Sequence, residues 1–409
     1  MITTIVNSDV IAQTKWLNGS CHLPETVSFQ NLHININHNF LINCDRQFEP
    51  LLIYYSKDYL FLCRAAPYHI VGVFNVLKNE LIISNILYEK HFKSVLETFI
   101  SLTKKYSFEF NSYINSTPNK ICTFIGTLQI MHHFIQELPG VQKLINETAI
   151  EKIYSFFEYY GPHEFILNTN IPIEHIKNNE GVEQLFVTTC VEKIKFYKYV
   201  LTHPAPEIIS RVKEFAYHTC EPSTKTFNKC FLFTVRTTKR VLINQEEFII
   251  KSIQMLEEMY PGSIYYIDGY TKLHSSWVDE THIHVQRERV LFNNIQKALP
   301  NINIKSLIFI DLVTYINKVR YVDFYIAHIG TLQHKIGYFS NARGLIHGGA
   351  DKLKGEWKEL WYHPSHFGKT VQRYSDACVT YENNTYNSYY TLHCDLCNIF
   401  LKEYLKSIW

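Results

Sequence analysis

Apolar and polar positions alternate in short runs over the first 87 residues. LLIYYSKDYLFLCRA (51–65) and YHIVGVFNVLKNELIISNILY (68–88) place β-branched and aromatic residues on either side of Lys-Asp and Lys-Asn-Glu breaks, the pattern of β-hairpins. A β-rich N-terminal element is expected. The period then changes. From His91 to Tyr106 the residues Phe92, Val95, Leu96, Phe99, Ile100 and Leu102 recur at helical spacing. The apolar run ICTFIGTLQ (121–129) leads into MHHFIQELPGVQKLINE, a strand, a glycine and a helix, which is the first half of an α/β unit. The alternation continues to about residue 200, with FILNTN (165–170) and LFVTTC (185–190) read as strands.

Pro204 and Pro206 then break the chain, and Pro206 sits where a helix would begin, with Glu207 in its first turn. A domain boundary is expected there. KCFLFTVR follows as a strand. The helix Gln245 to Met259 is closed by Tyr-Pro-Gly. SIYYID (263–268), a helix over 289–299, IKSLIFID (304–311), a short helix and VDFYIAHIG (322–330) complete a β/α series of the doubly wound type. The segment 388–409 has the spacing of a C-terminal helix. The expected domains are 1–205, 206–387 and 388–409.

Composition narrows the partners. The chain has 409 residues, 46% hydrophobic and 19% charged, enough for two cores and too apolar for disorder. A net charge of +2 gives no field for nucleic acid, so an anionic ligand must be held by local cations. The 28 Tyr and 27 Phe are read first as core. Of ten cysteines only Cys394 and Cys397 form a CxxC, which leaves a tetrahedral metal shell unfilled; the remainder fit buried thiols in a reducing compartment. The N-terminus lacks the basic and apolar regions of a signal peptide, and no run of 18 apolar residues occurs. A cytoplasmic protein is expected, and peripheral association with the inner face of a membrane is compatible with this.

Three segments carry candidate chemistry. Arg236 stands at the carboxyl end of a predicted strand, followed by Lys239 and Arg240 in one loop, where open α/β sheets bind ligands and guanidinium groups grip phosphate bidentately. Asn244 is placed to cap the helix that follows. The second segment is a strand running into His328, Gly330 and Thr331. There a glycine permits close backbone approach, and the amides of the next helix start face an anion. The third, GLIHGGAD (344–351), adds His347 and Gly348 at the end of another apolar run.

The order Arg236-Thr237-Thr238-Lys239-Arg240-Val241-Leu242-Ile243-Asn244-Gln245-Glu246 resembles the Arg…Arg-apolar-Asn-Glu segment of glycosyltransferase family 61. Ala327-His328-Ile329-Gly330-Thr331-Leu332 is similar to that family's His-Gly-Ala-Gly-Leu turn, with Ile329 and Thr331 replacing two of its glycines. Gly126…His132-His133…Glu137 looks like its N-terminal Gly-His…Glu element. The resemblance covers about 150 residues in two blocks. It implies a GT-B fold, two Rossmann-like domains facing a cleft, preceded here by the β-rich element. It also implies a nucleotide-sugar donor, a saccharide or protein acceptor, and a setting in bacterial polysaccharide or glycoprotein assembly. The donor side would be Arg236, Lys239, Arg240, Asn244, His328, Gly330, Thr331, His347 and Gly348.

His133 and Glu137 are four apart and share one face of a predicted helix, so they are the expected catalytic pair for taking the acceptor's proton in an inverting transfer. Arginines and helix amides stabilise a leaving diphosphate without metal; no metal and no cofactor beyond the donor itself are expected. A polysaccharide pyruvyl transferase on the same architecture, or a non-enzymatic binding protein with a degenerate site, would fit the same residues. His282 and His284 have strand spacing and no third ligand, Asp311 reads as a helix cap or ligand contact, and His363, His366 and Lys369 read as a surface loop.

Overall fold

The computed structural model describes residues 2–6, 14–16, 26–29, 32–35, 38–42, 50–64, 70–83, 86, 89–127, 133–156, 162–176, 179–198, 205–219, 227–238, 241–272, 281–348, 371–382 and 389–409. They fall into two compact units that divide between Ile208 and Ile209.

The first unit opens with strands β1 (Thr3–Val6), β2 (Thr14–Trp16), β3 (Thr26–Phe29), β4 (Leu32–Asn35), β5 (His38–Ile42), β6 (Leu51–Tyr55), β7 (Tyr59–Arg64), β8 (Ile70–Asn75) and β9 (Glu80–Ile83). Strands β5 to β9 form an antiparallel meander, and β1 adds to β9 in parallel; β2 to β4 make a separate three-stranded sheet. This is the expected β-rich element. Helices α1 (Glu89–Lys105) and α2 (Ser107–Ile114) follow, α1 burying Phe92, Val95, Leu96, Phe99 and Leu102. Then come β10 (Lys120–Ile125), a π-helical turn (His133–Glu137), α3 (Leu138–Glu147), β11 (Lys152–Ser155), α4 (His163–Leu167), β12 (Ile173–His175), α5 (Asn179–Val191) and β13 (Ile194–Phe196). These four strands form one all-parallel sheet in the order β12-β11-β10-β13.

Two of the expected strands are helices. In 185–190, buried Val182, Leu185, Phe186 and Cys190 recur at helical spacing once the preceding turn is included. In 165–170, Asn168 takes the left-handed conformation (φ 48°) and ends α4, a normal helix stop.

The second unit holds α6 (Pro206–Thr219), β14 (Cys230–Thr234), α7 (Gln245–Met259), β15 (Ile264–Asp268), α8 (Ile283–Ala298), β16 (Asn303–Ser306), α9 (Leu312–Val319), β17 (Phe324–His328), α10 (Thr331–Phe339), β18 (Arg343–His347), β19 (Val371–Arg373), β20 (Val379–Tyr381), β21 (Tyr390–Leu392) and α11 (Cys394–Ile408). Six of these strands make an all-parallel sheet ordered β16-β15-β14-β17-β18-β19. In chain order that is 3-2-1-4-5-6, the Rossmann arrangement. Strands β14, β15 and β17 are buried at every residue, as a sheet covered on both faces requires. Helix α8 begins at Ile283, so His282 and His284 flank a helix start instead of lying on a strand. The C-terminal helix is not a separate body: Cys394, Cys397, Leu401 and Leu405 lie in the second unit's core. No helix among the described residues is long and apolar enough to cross a membrane.

One side chain ties the two larger sheets of the first unit together. Asn39 on β5 is fully buried; its Nδ2 donates to the Phe196 carbonyl at 2.9 Å and its Oδ1 accepts from the Phe196 amide at 2.8 Å. Asn39→Leu leaves both β13 groups unmet in the core, and each costs ~1–3 kcal/mol. We expect the urea midpoint of this variant to fall sharply, whereas a change at exposed Leu77 leaves it in place.

Candidate functional site

Strand order in the second sheet fixes where ligands can approach. The chain runs outward from β14 in both directions, so the carboxyl ends of β14 and β17 mark the switch point, where crossovers on opposite faces leave a crevice. Arg236 follows β14 and His328 ends β17, so the first two predicted segments meet at this edge. Thr234 joins them: its Oγ1 accepts from the His328 amide at 2.8 Å and lies 3.0 Å from the His328 Nδ1. His347 and Gly348 arrive at the end of the neighbouring β18, with the His328 and His347 rings 4.4 Å apart.

Several residues make this edge rigid. Gln245, at the start of α7, clamps the Arg236 backbone: its Oε1 accepts from the Arg236 amide at 3.2 Å, and its Nε2 donates to the Arg236 carbonyl at 3.1 Å. Gly330 has φ 123°, a conformation that side chains rarely adopt, and it places Thr331 at the first position of α10. A Cβ on Gly348 would overlap the Cγ2 of Ile329, so Ile329 packs into space that Gly348 leaves open. His347 shares a 2.7 Å hydrogen bond between its Nδ1 and the Tyr390 hydroxyl. Burial first, and then the positive charge of Arg236, push His347 down to about 3, so its ring is neutral.

Asn244 does not belong to this group. Its Nδ2 donates to the Leu392 carbonyl at 2.8 Å and its Oδ1 accepts from the Leu392 amide at 3.1 Å, while it makes no side-chain cap on α7. It fastens β21 to the start of α7 and is not the cap that the sequence pattern predicts. Asp311 does cap its helix, accepting from the Thr314 amide at 2.9 Å. Lys239 and Arg240 lie outside the described residues, as do His363, His366 and Lys369.

The sequence reading missed an acidic centre beside this edge. Asp268, the last residue of β15, is fully buried and takes a 2.7 Å ion pair from Lys335 on α10. Lys335 also donates to Thr271 Oγ1 at 2.8 Å and to the Gly269 carbonyl at 3.2 Å. Burial pushes the Asp268 carboxyl up, against the pull of Lys335 and the Tyr315 hydroxyl. Glu288 on α8 accepts from the Tyr270 amide at 2.7 Å. Burial, with Asp268 nearby, pushes Glu288 up to about 7, opposed by the Tyr270 amide, Lys335 and Arg236. The signal was weak, because Asp268 reads as an ordinary strand end and Lys335 as a solvated helix residue until the fold brings them together.

His133 and Glu137 also meet, but at the carboxyl end of β10 in the first unit. Both are fully buried. Glu137 accepts from the Gly126 amide at 2.8 Å, from the Thr127 amide at 3.1 Å, from His133 Nδ1 at 2.8 Å and from Lys198. Although burial alone would raise it, Lys198 and His133 hold its carboxyl well below the usual range. A carboxylate so placed is a weak proton acceptor and a strong anchor: it ties the turn after β10 to β13's trailing Lys198, which in turn donates to the Phe124 carbonyl at 2.8 Å. The pair thus holds this turn.

No family model and no curated protein matches this chain. Solved structures do, and three are representative. The S. aureus MnaA–UDP co-structure is 13% identical, covers 61% of each chain and has a TM-score of 0.25. A glycosyl transferase family 9 protein from Veillonella parvula is 8% identical over 63% of this chain and 87% of that one, with a TM-score of 0.34. UDP-GlcNAc 2-epimerase from Neisseria meningitidis bound to UDP-GlcNAc is 12% identical over 57% and 66%, with a TM-score of 0.26. The chain thus spans about 61% of the length of the first of these. With likenesses this low, the functional reading rests on the chain's own residues.

Two measurements test the electrostatics. The Glu288 carboxyl sits above its ordinary 4.5, so the folded state holds a proton that the unfolded state releases, and the stability this gives is lost as pH rises from 4.5 through about 7. Glu288→Gln keeps an acceptor for the Tyr270 amide and cannot titrate. The stability of the variant relative to wild type should therefore climb by up to roughly 3 kcal/mol between acid and mildly alkaline pH, read from urea melts. Lys198→Met should cost about 3–5 kcal/mol in the same assay, because it strands the Glu137 charge in the core.

Proposed function

We propose that this chain is a glycosyltransferase that draws a sugar from a nucleotide-activated donor and delivers it, with inversion and without metal, to a saccharide or protein acceptor. The observation that carries the reading is the convergence of Arg236, the His328–Gly330 turn, the amino end of α10 and His347 at one switch point. An anionic diphosphate there meets a clamped arginine and backbone amides that need no rearrangement as charge develops on the leaving group. Lys239 and Arg240, next in sequence, extend the cationic loop in this proposal, and Thr331 and Gly348 contribute backbone. His328 and His347, both buried and held by Thr234 and Tyr390, set the floor of the site.

In this reading the first unit supplies the acceptor side, with His133 and Glu137 as positioning residues that fix the turn after β10. The wider setting, bacterial polysaccharide or glycoprotein assembly, follows from the family 61 resemblance. The test is a panel of UDP, CMP and UDP-sugars in a thermal-shift assay on wild type and Arg236→Ala. A nucleoside diphosphate should raise the melting temperature of wild type, with affinity falling roughly tenfold or more in the variant, the loss of one charge-assisted contact. If no nucleotide stabilises the wild type, the reading is wrong.

A further inference from the structure

The opposite edge of the second unit's sheet carries a cavity of about 460 Å³. Its wall includes Arg320, Tyr321, Asp323, Asn341, Arg343 and Trp409. Asp323 immediately precedes β17 and Arg343 is the first residue of β18, so the cavity lies at the amino ends of these strands. A five-residue strand at ~3.3 Å per residue puts it about 15 Å from the switch point.

Its chemistry is that of an oxyanion site. Among the described residues neither Arg320 nor Arg343 has a carboxylate within ion-pair distance. Asp323, the carboxylate in the wall, accepts from the Cys230 amide at 2.8 Å and so serves the start of β14. Arg320 is held in place: its guanidinium lies 4.5 Å from the Tyr321 ring centroid and 5.3 Å from that of Tyr217, and it donates to the Tyr321 hydroxyl. Such stacking fixes the plane of the fork at the cavity wall. Arg343 is exposed, and its charge pulls down the Tyr404 hydroxyl, which burial pushes up. Trp409 brings an aromatic face. Its ring is edge-on to Tyr260 at 5.2 Å and capped by the Lys229 ammonium at 3.9 Å, yet the residue keeps 45% of its surface exposed. Two guanidinium groups without a carboxylate partner among the described residues, and a fixed indole, form a pocket with room for one small ring and its charged substituent.

We propose that this cavity is a second ligand site, separate from the switch-point edge, that binds a phosphomonoester carried on a sugar ring: Arg320 and Arg343 take the phosphate, and Trp409 packs on the ring. Phosphate is favoured over carboxylate because two guanidinium forks offer more donors than one carboxylate can accept.

The test is calorimetric titration of the full chain with glucose 1-phosphate, inorganic phosphate, glucose and glucuronate. Glucose 1-phosphate should bind saturably. Its affinity should fall at least tenfold in Arg343→Gln and in Arg320→Gln, stay unchanged in Arg236→Ala, and exceed that of inorganic phosphate, which lacks the ring. Glucose alone should not bind. Arg343 is exposed, so its variant should melt with wild type and respond to nucleotides as wild type does, which keeps this test separate from that of the switch-point edge. Absence of saturable binding, binding that survives both arginine variants, or binding abolished by Arg236→Ala would overturn the proposal. Glucuronate binding as tightly as glucose 1-phosphate would overturn the phosphate assignment.

Discussion

At the centre of the second unit the chain leaves β14 and comes back beside it, 94 residues later, as β17, and the Thr234 hydroxyl closes the gap between the two strand ends. Everything at the carboxyl edge depends on that return. Because β14 pairs with β15 on one side and β17 on the other, right-handed crossovers place the intervening helices on opposite faces. Helices α7, α8 and α11 accordingly share one core, while α9 and α10 pack together elsewhere. A hydroxyl that accepts from one backbone amide and bonds one imidazole is a small device, but it is buried, so its loss would leave the His328 amide without its partner.

The buried polar residues around that contact divide into holders and presenters. Gln245 holds Arg236 by its backbone. Tyr390 holds His347, and Asn244 holds β21, which carries Tyr390. Lys335 and Asp268 brace the foot of α10 against β15. In the first unit the Glu137–Lys198–His133 group performs the same task for the turn after β10. In each place a charge or an amide is shielded from water and bonded, the condition under which burial of polar groups is tolerable.

The two ends of the second sheet therefore differ in kind. The carboxyl edge is dense with buried, mutually bonded groups around one half-exposed arginine. At the amino edge Arg320 and Arg343, with no carboxylate among the described residues within ion-pair distance, line an open cavity that Asp323 also borders. Stability explains the former arrangement well and the latter poorly, and this contrast supports the proposal of a ligand site at the amino edge.

Much of this was legible in the sequence. The period of two over 51–83 and the period of 3.6 over 92–102 dictated strands and helix, because burial of one face is a local demand that the spacing of apolar residues records. The strand-end positions of Arg236, His328 and His347 were legible for the same reason, as each follows an apolar run of strand length. Short amphipathic stretches were misread: 165–170 and 185–190 are too brief for the period to separate helix from strand, and only packing settles them. Strand order, and with it the meeting of Arg236 with His328, was decided by tertiary structure, since adjacency in a parallel sheet is a non-local choice. The fate of Glu137 and Asn244 was decided there too. Whether a polar side chain faces a ligand or a backbone group depends on what the fold brings within 3 Å of it, and no spacing along the chain records that.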